Sequence, residues 1–232
     1  MSTTPGPNLP LLIGGLLLAL ASGSAHALEF GMDLGSTGHH LKHRSSYPLT
    51  QDQQLDTFSL RLGVGVRPDV HAEVEWRSGE QVAQRLHSLR TVLESDAWLG
   101  GARFQRRPLP WLEPFVRGAA GVTRTRLDVS QFPTYSSRTW APLLAGGVGV
   151  DIVIPREVFR RSAAARVSGF TLGLTVELGW QHAFGQSLLL KGDRNVKTTD
   201  SDPPQEILQE ELDLGTLTLT GWTTRIALVV RL

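Results

Sequence analysis

The chain has 232 residues, a formal net charge of +1 and no cysteine, and 41% of its residues are hydrophobic. This composition excludes a disordered or fibrous protein and a disulfide-stabilised small domain, and the near-neutral charge gives no reason to expect nucleic acid as a partner. A single all-β domain of this length is ordinary.

The amino-terminal segment has the pattern of an export signal. Residues 9–21 are almost all apolar, and Ala25-His26-Ala27 after them has the small-x-small form of a signal-peptidase site. The run is shorter than the ~20 residues that a membrane-spanning helix needs. We therefore predict a cleaved signal peptide over residues 1–27 and one domain over residues 28–232, with an uncleaved anchor as the alternative.

The rest of the chain contains no second long apolar run, so any membrane span must be built from strands. Apolar and polar residues alternate with a period of two in several segments, and the cleanest alternation lies in residues 170–181. We predict about eight strands of transmembrane length, over residues 28–36, 55–67, 70–77, 96–105, 112–126, 140–153, 170–181 and 215–232. Eight is the size of the smallest common outer-membrane barrel.

The connections alternate in length, as expected for a barrel with long outer loops and short periplasmic turns. The long ones are residues 37–54, 79–94, 128–138 and 185–214, and the short ones are residues 68–69 and 107–110. Residues 155–168 are an exception, a long connection on the short side. Apolar residues in the 79–94 segment recur at helical spacing, but we favour strand extensions above the membrane.

Each predicted strand has an apolar face opposite a face with full charges, which fits lipid outside and a polar interior. Tryptophans expected near strand ends suit an aromatic girdle. The alternative is a soluble ligand-binding barrel with the faces reversed. The inward charges are four arginines and four carboxylates, which we expect to pair across the lumen as a luminal charge network: Arg61, Glu73, Glu75, Arg103, Arg117, Asp151, Glu177 and Arg225.

Residues 114–121 (PFVRGAAG), 145–151 (AGGVGVD) and 172–179 (LGLTVELG) resemble strands of small outer-membrane β-barrel proteins of Gram-negative bacteria, the porin-like family with an OmpA-type transmembrane domain. The resemblance implies an all-β, closed antiparallel up-and-down barrel in the cell outer membrane. It also implies contact with outer-membrane lipid and lipopolysaccharide, and insertion by the outer-membrane insertion machinery. That machinery reads the last strand, which in the family usually ends in Phe or Trp and here ends in Leu232.

Three groups of polar side chains are candidates for chemistry, and for each a solvated loop is the simpler interpretation. A histidine cluster could bind a transition metal, the acidic residues of the 185–214 segment could hold a divalent cation, and serines and histidines could form a hydrolytic site. No calcium-loop spacing or nucleophile-elbow pattern supports them. The side chains concerned in the first and third groups are His39, His40 and His43, and Ser78, His87, Ser88 and His182.

The sequence therefore predicts a monomeric outer-membrane barrel that is not an enzyme and has no cofactor or metal. Its expected role is structural or surface-interactive, through extracellular loops, with the lumen closed by paired charges. The alternatives are an outer-membrane enzyme acting on lipid or peptide at the outer rim, and a narrow passive channel. Nothing in the sequence identifies an extracellular ligand.

Overall fold

The computed structural model describes residues 30–41, 54–85, 89–130, 134–154, 171–184, 186–192, 212–217 and 219–231. These residues form ten strands: β1 (Phe30–Leu41), β2 (Gln54–Arg67), β3 (Val70–Arg85), β4 (Leu89–Gln105), β5 (Leu112–Ser130), β6 (Thr134–Val153), β7 (Thr171–Ala183), β8 (Gln186–Gly192), β9 (Leu212–Leu217) and β10 (Gly221–Arg231). No helix in this part of the chain could cross a membrane. The predictions for residues 1–27, for residues 155–168 and for Leu232 lie outside the described residues.

Eight of the strands close into a barrel. Each strand from β1 to β6 pairs antiparallel with the next, β7 pairs with β10, and β10 pairs with β1. Since strand order follows chain order around the wall, the predicted closed up-and-down barrel is confirmed.

The other two strands, β8 and β9, pair with each other and continue the register of the β7–β10 pair beyond Ala183 and Gly221. They are attached where Tyr135 and Ser136 of β6 pair with the end of β8. Part of the predicted long polar connection over residues 185–214 is therefore strand. Two short leucine-rich runs form these strands, QSLLLKG within that connection and LDLGTL across its end.

The two faces of the wall differ in chemistry. In β7, Thr175 is fully buried and Glu177 is 6% exposed, whereas Leu174 and Leu178 are 44% and 50% exposed. The same alternation places apolar side chains on the outside of the other barrel strands, including Leu62, Val116, Val148, Ile152, Ile226 and Leu228. Charges inside and apolar residues outside are the arrangement of a membrane barrel and the reverse of a soluble one.

An aromatic girdle lies on the outer surface, formed at one level by Phe58, Trp76, Trp98, Trp180 and Trp222, with Trp140 further out on β6. Its rings contact one another in pairs, with Trp98 stacked on Trp140 at 5.6 Å between ring centroids and Trp180 edge-on to Trp222 at 5.0 Å. From Phe58 to Val66, β2 descends about 20 Å, close to the ~25 Å apolar band of such barrels. The girdle therefore marks the outer boundary of the lipid.

The strands continue well beyond this boundary. Trp180 and Trp222 lie near the ends of β7 and β10 as predicted. Trp76 and Trp98 lie in mid-strand instead, because β3 and β4 remain paired as far as Arg85 and Leu89. In the same way, β5 and β6 remain paired as far as Ser130 and Thr134. Residues 79–85 and 89–94 thus form strand extensions, as favoured from the sequence, and most of the expected 128–138 loop is strand as well.

Close packing inside the wall depends on glycine at particular positions. A Cβ atom at Gly121 would lie 1.9 Å from the carbonyl oxygen of Trp98 and 2.8 Å from the Cα of Leu99, both backbone atoms of the neighbouring strand. At Gly100 a Cβ atom would meet nothing within 4 Å.

We therefore expect Gly121→Ala to lower the free energy of unfolding by about 1–3 kcal/mol, since the added methyl group must push two paired strands apart. The matched control, Gly100→Ala, should change it little. Reversible urea unfolding of both variants in lipid vesicles measures the difference. Equal stability of the two would show that β4 and β5 do not approach each other as described.

Candidate functional site

The barrel interior holds a large set of buried charges, which we call the luminal charge cluster. It contains six arginines and six carboxylates, each less than 9% exposed: Arg61, Arg77, Arg103, Arg117, Arg225, Arg231, Asp33, Glu73, Glu75, Glu113, Asp151 and Glu177. Every barrel strand contributes at least one member. The formal charges of these twelve side chains cancel.

Arg61 lies at the centre of the cluster, and its side chain is 1% exposed. Its guanidinium donates to Glu177 at 2.8 Å and lies 3.6 Å from a carboxylate oxygen of Glu75. Carboxylate oxygens of Asp33 and Glu73 lie at 3.7 and 3.8 Å. Four acidic side chains from three other strands thus converge on a single cation.

Arg117, on the opposite wall, joins two of the same carboxylates. It donates to Glu75 at 2.7 Å and to Glu177 at 3.2 Å. Glu75 also accepts a hydrogen bond from Arg77 at 2.9 Å, and Arg77 in turn donates to the side-chain oxygen of Gln181 at 3.1 Å. These bonds tie β3, β5 and β7 together across the lumen.

A second group of charges lies toward the periplasmic end, around Asp151. This carboxylate accepts hydrogen bonds from Arg103 and Arg231, and from the hydroxyl of Thr175 at 2.6 Å. Arg231 also donates to Glu113. The bonded side chains come from β4, β6, β7 and β10, and Glu113 from β5, so this group links five strands across the lower barrel as the Arg61 group links strands in its middle.

The structure brings all eight residues of the predicted network into this cluster. Sequence reasoning missed four members, Asp33, Arg77, Glu113 and Arg231. The last three lie on the polar faces of alternating segments, so a strict period of two extended to the strand ends would have found them. Asp33 lies on β1, where no face was assigned.

An apolar layer lies above the charges, at and beyond the level of the girdle. It consists of Leu93, Ala97, Leu99, Leu127, Leu143, Ala183 and Leu219. Leu93 and Leu127 are fully buried inside the barrel, although both lie in the strand extensions beyond the membrane. Sequence reasoning missed this layer, because it assumed that every inward position would be polar.

Small cavities lie between these side chains in the described part of the chain. One of about 10 Å³ is lined by His39, Thr57, Arg77 and Leu219 among others, at the junction of the two layers. Another of about 20 Å³ is lined by Asp33, Arg61, Glu73, Arg103 and Arg231 among others. Each has the size that about one water molecule occupies, and its polar lining can satisfy that water.

The described residues do not bring the candidate metal-binding histidines together, nor the candidate serines and histidines of a hydrolytic site. His39 points into the barrel, with its Nε2 atom 3.0 Å from the hydroxyl of Thr57, whereas the adjacent His40 is exposed on the outside. Ser78 on β3 donates to Asp96 at 2.7 Å, and His182 contacts Thr220 from β7, which is not a neighbour of β3. His43, His87 and Ser88 lie outside the described residues.

Comparisons with known proteins show similarity of fold. No family model and no curated protein matches the sequence. The solved structures of the attachment invasion locus protein Ail of Yersinia pestis, in complex with the heparin analogue sucrose octasulfate, and of a major outer membrane protein from Thermus thermophilus each match with a TM-score of 0.51. Each is 11% identical to this chain, and each match covers 89% of this chain and 100% of the other.

A second structure of Ail, 12% identical, matches with a TM-score of 0.50 over 88% of this chain and 98% of the other. The chain therefore has the fold of the small outer-membrane β-barrels of the OmpA-like kind, as the resemblance in its sequence predicted.

Proposed function

We propose that this protein is exported through a signal peptide over residues 1–27 that is then cleaved, inserts into the outer membrane as a monomer, and acts there as a closed barrel that supports an extracellular surface. The apolar outer band and the aromatic girdle support the location, since both match what lipid requires of a barrel wall. Lipopolysaccharide and outer-membrane lipid are the surroundings that this location supplies.

The proposal rests on one observation, the side chains that fill the lumen of the barrel. Six buried arginines face six buried carboxylates, and an apolar layer lies above them. An ion entering such an interior would have to separate paired charges in a medium of low dielectric constant and then pass among leucines without water, and both steps are costly. A closed lumen leaves the outer surface and the extracellular strands as the parts that can act.

The proposal is tested by conductance. Purified protein reconstituted into planar bilayers should show no stable openings of porin size, because the paired charges and the apolar layer fill the cross-section. A porin with an open lumen, reconstituted in the same way, is the positive control. Reproducible openings at the size of that control would show that the lumen conducts and that the passive-channel alternative is correct.

An enzymatic role receives less support. Ser78 and His182 lie on strands that are not neighbours, and neither contacts the other in the described part of the chain. A hydrolytic site requires its nucleophile and base within hydrogen-bonding reach. We therefore propose a non-enzymatic role at the cell surface, exerted through the strand extensions and their connections.

A further inference from the structure

The charges of the chain are distributed unevenly between the two ends of the barrel. At the outer end, the sequence has ten basic and thirteen acidic side chains, in residues 37–57, 78–97, 124–140 and 182–221. The sequence between Ile154 and Thr171, which both lie at the opposite end, has four arginines and one glutamate. Since the luminal charge cluster is neutral, the periplasmic end is basic and the extracellular end is acidic.

The described residues of the periplasmic end show the same excess of positive charge. Arg67, Arg106 and Arg107 are exposed there, and the exposed carboxylate among the described residues of this end is Asp69. Arg107 pairs with the buried Glu113 at 2.5 Å. Arg67 and Arg106 have no ion pair with any described residue. Two arginines of this end can therefore bind an anion from outside the protein.

Both arginines belong to the outer face of the wall. Arg67 is the register partner of Val70 on β3, and Val70 is in turn the partner of Phe104 on β4. Phe104 is 45% exposed, and the guanidinium of Arg106 lies 5.7 Å from the centre of its ring. Because neighbouring strands are ~4.8 Å apart, the backbones of Arg67 and Phe104 are about 10 Å apart. The two long side chains can therefore reach a single headgroup.

The depth of the two arginines matches the inner headgroup layer. Arg67 follows the girdle residue Phe58 by nine positions, and Arg106 follows Trp98 by eight. For strands tilted by about 40°, both backbones lie about 20–23 Å below the girdle, near the inner edge of the ~25 Å apolar band. Arginine side chains at the end of a span extend to the interface. Trp111, 44% exposed in the same turn as Arg106, is of a residue type enriched at that interface.

We propose that Arg67 and Arg106 together bind the phosphate of an anionic phospholipid in the inner leaflet of the outer membrane. This inference rests on the proposed outer-membrane location and adds a lipid-binding site to it. The planar fork of a guanidinium matches a phosphate in geometry and charge. A zwitterionic headgroup brings a cation of its own next to the two arginines, so a headgroup without an ammonium group fits the site better.

The test compares the wild-type chain with the double variant Arg67→Gln/Arg106→Gln, both folded in detergent micelles and titrated with phosphatidylglycerol. Native mass spectrometry counts the bound lipid. An arginine near an anionic lipid surface strengthens binding about fivefold, so the double variant should bind about 25-fold more weakly. The substitutions remove no described salt bridge, and heat-dependent gel mobility verifies that the variant is folded. Equal affinity of the two proteins would overturn the proposal.

A control at the other end of the barrel tests whether the position of the charge matters. Arg138→Gln replaces an exposed arginine on the extension of β6, which likewise has no ion pair among the described residues. This variant should bind phosphatidylglycerol as the wild type does. A loss as large as that of the double variant would show that any positive charge on the protein suffices, and the site would be wrong.

A substitution at Asp69 should have the opposite effect. Asp69 lies two residues after Arg67, and its carbonyl oxygen accepts a hydrogen bond at 2.9 Å from the backbone N–H of Gln105, the neighbour of Arg106. Its carboxylate therefore lies close to both arginines and repels a phosphate. Asp69→Asn suits the same turn and should bind phosphatidylglycerol more tightly than the wild type does. Weaker binding by Asp69→Asn would contradict a phosphate site between the two arginines.

Other ligands test the lipid assignment. Phosphatidylcholine, which has an ammonium group beside its phosphate, should bind the wild type more weakly than phosphatidylglycerol, and equal binding would overturn the preference for an anionic lipid. If inorganic phosphate competed as effectively as the lipid, the arginines would hold an adventitious ion only, and the lipid assignment would be wrong. Fractionation of cells separates this inference from the proposed function: unaltered lipid binding by the double variant in a protein found in the outer membrane overturns the lipid site alone.

Discussion

Replacing Arg61 with methionine should lower the free energy of unfolding by about 3–5 kcal/mol, the typical cost of removing one partner from a buried ion pair. Methionine retains most of the volume of the arginine stem but removes the charge. The guanidinium of Arg61 lies 2.8 Å from a carboxylate oxygen of Glu177, 3.6 Å from Glu75 and 3.7 Å from Asp33. All three carboxylates would lose this neighbouring positive charge. Uncompensated carboxylates would remain in an interior with little water.

Reversible urea unfolding in lipid vesicles measures this effect, with the exposed Arg138→Met as the control for loss of an arginine. Adding Glu177→Gln to Arg61→Met should recover part of the loss, since it removes one of the stranded charges. A cost below about 1 kcal/mol for Arg61→Met, typical of an exposed pair, would contradict the arrangement of the luminal charge cluster.

Introducing arginine at Leu174 should lower the stability of the inserted barrel by about 2–4 kcal/mol. Leu174 lies on the outer face, 44% exposed, and its partners on both sides are the outward-facing Ile152 and Leu228. It lies about 15 Å below the girdle residue Trp180, near the middle of the apolar band. An arginine there would face hydrocarbon on three sides.

The matched control is Val82→Arg, which makes the same change at an outward position on β3 beyond the girdle. Val82 is 42% exposed, and an arginine at that height would remain in water or among headgroups, so its cost should be below about 1 kcal/mol. Urea unfolding of the two variants in vesicles distinguishes the positions. Similar costs for both would mean that the lipid boundary is not at the aromatic girdle.

The fold was predictable from the sequence because a membrane barrel repeats one simple constraint in every strand. Lipid on one side and charges on the other produce a period of two, and positions such as Glu177 and Leu178 identify their faces without reference to distant residues. The eight predicted luminal charges follow from the same rule, and the structure gathers them in one cluster. The soluble alternative required the opposite assignment of faces.

Features set by the height of a residue along the barrel axis were harder to predict. Leu93 and Leu127 face inward, but whether an inward residue meets charges or other leucines depends on the register between strands, which no single strand encodes. The positions of Trp76 and Trp98 within their strands were also predicted wrongly. The charged residues next to them were assigned to a loop, which placed both tryptophans near strand ends.

The strand extensions beyond the girdle have a consequence for recognition at the cell surface. β3 continues from Trp76 to Arg85, so the ends of β3 and β4 stand about 15–25 Å outside the hydrocarbon, joined by only residues 86–88. The backbone of this rim is held by ladder hydrogen bonds as far as its last pair. A molecule that contacts the rim therefore meets an edge that is already ordered, and binding there forfeits little conformational entropy compared with the capture of a long flexible loop.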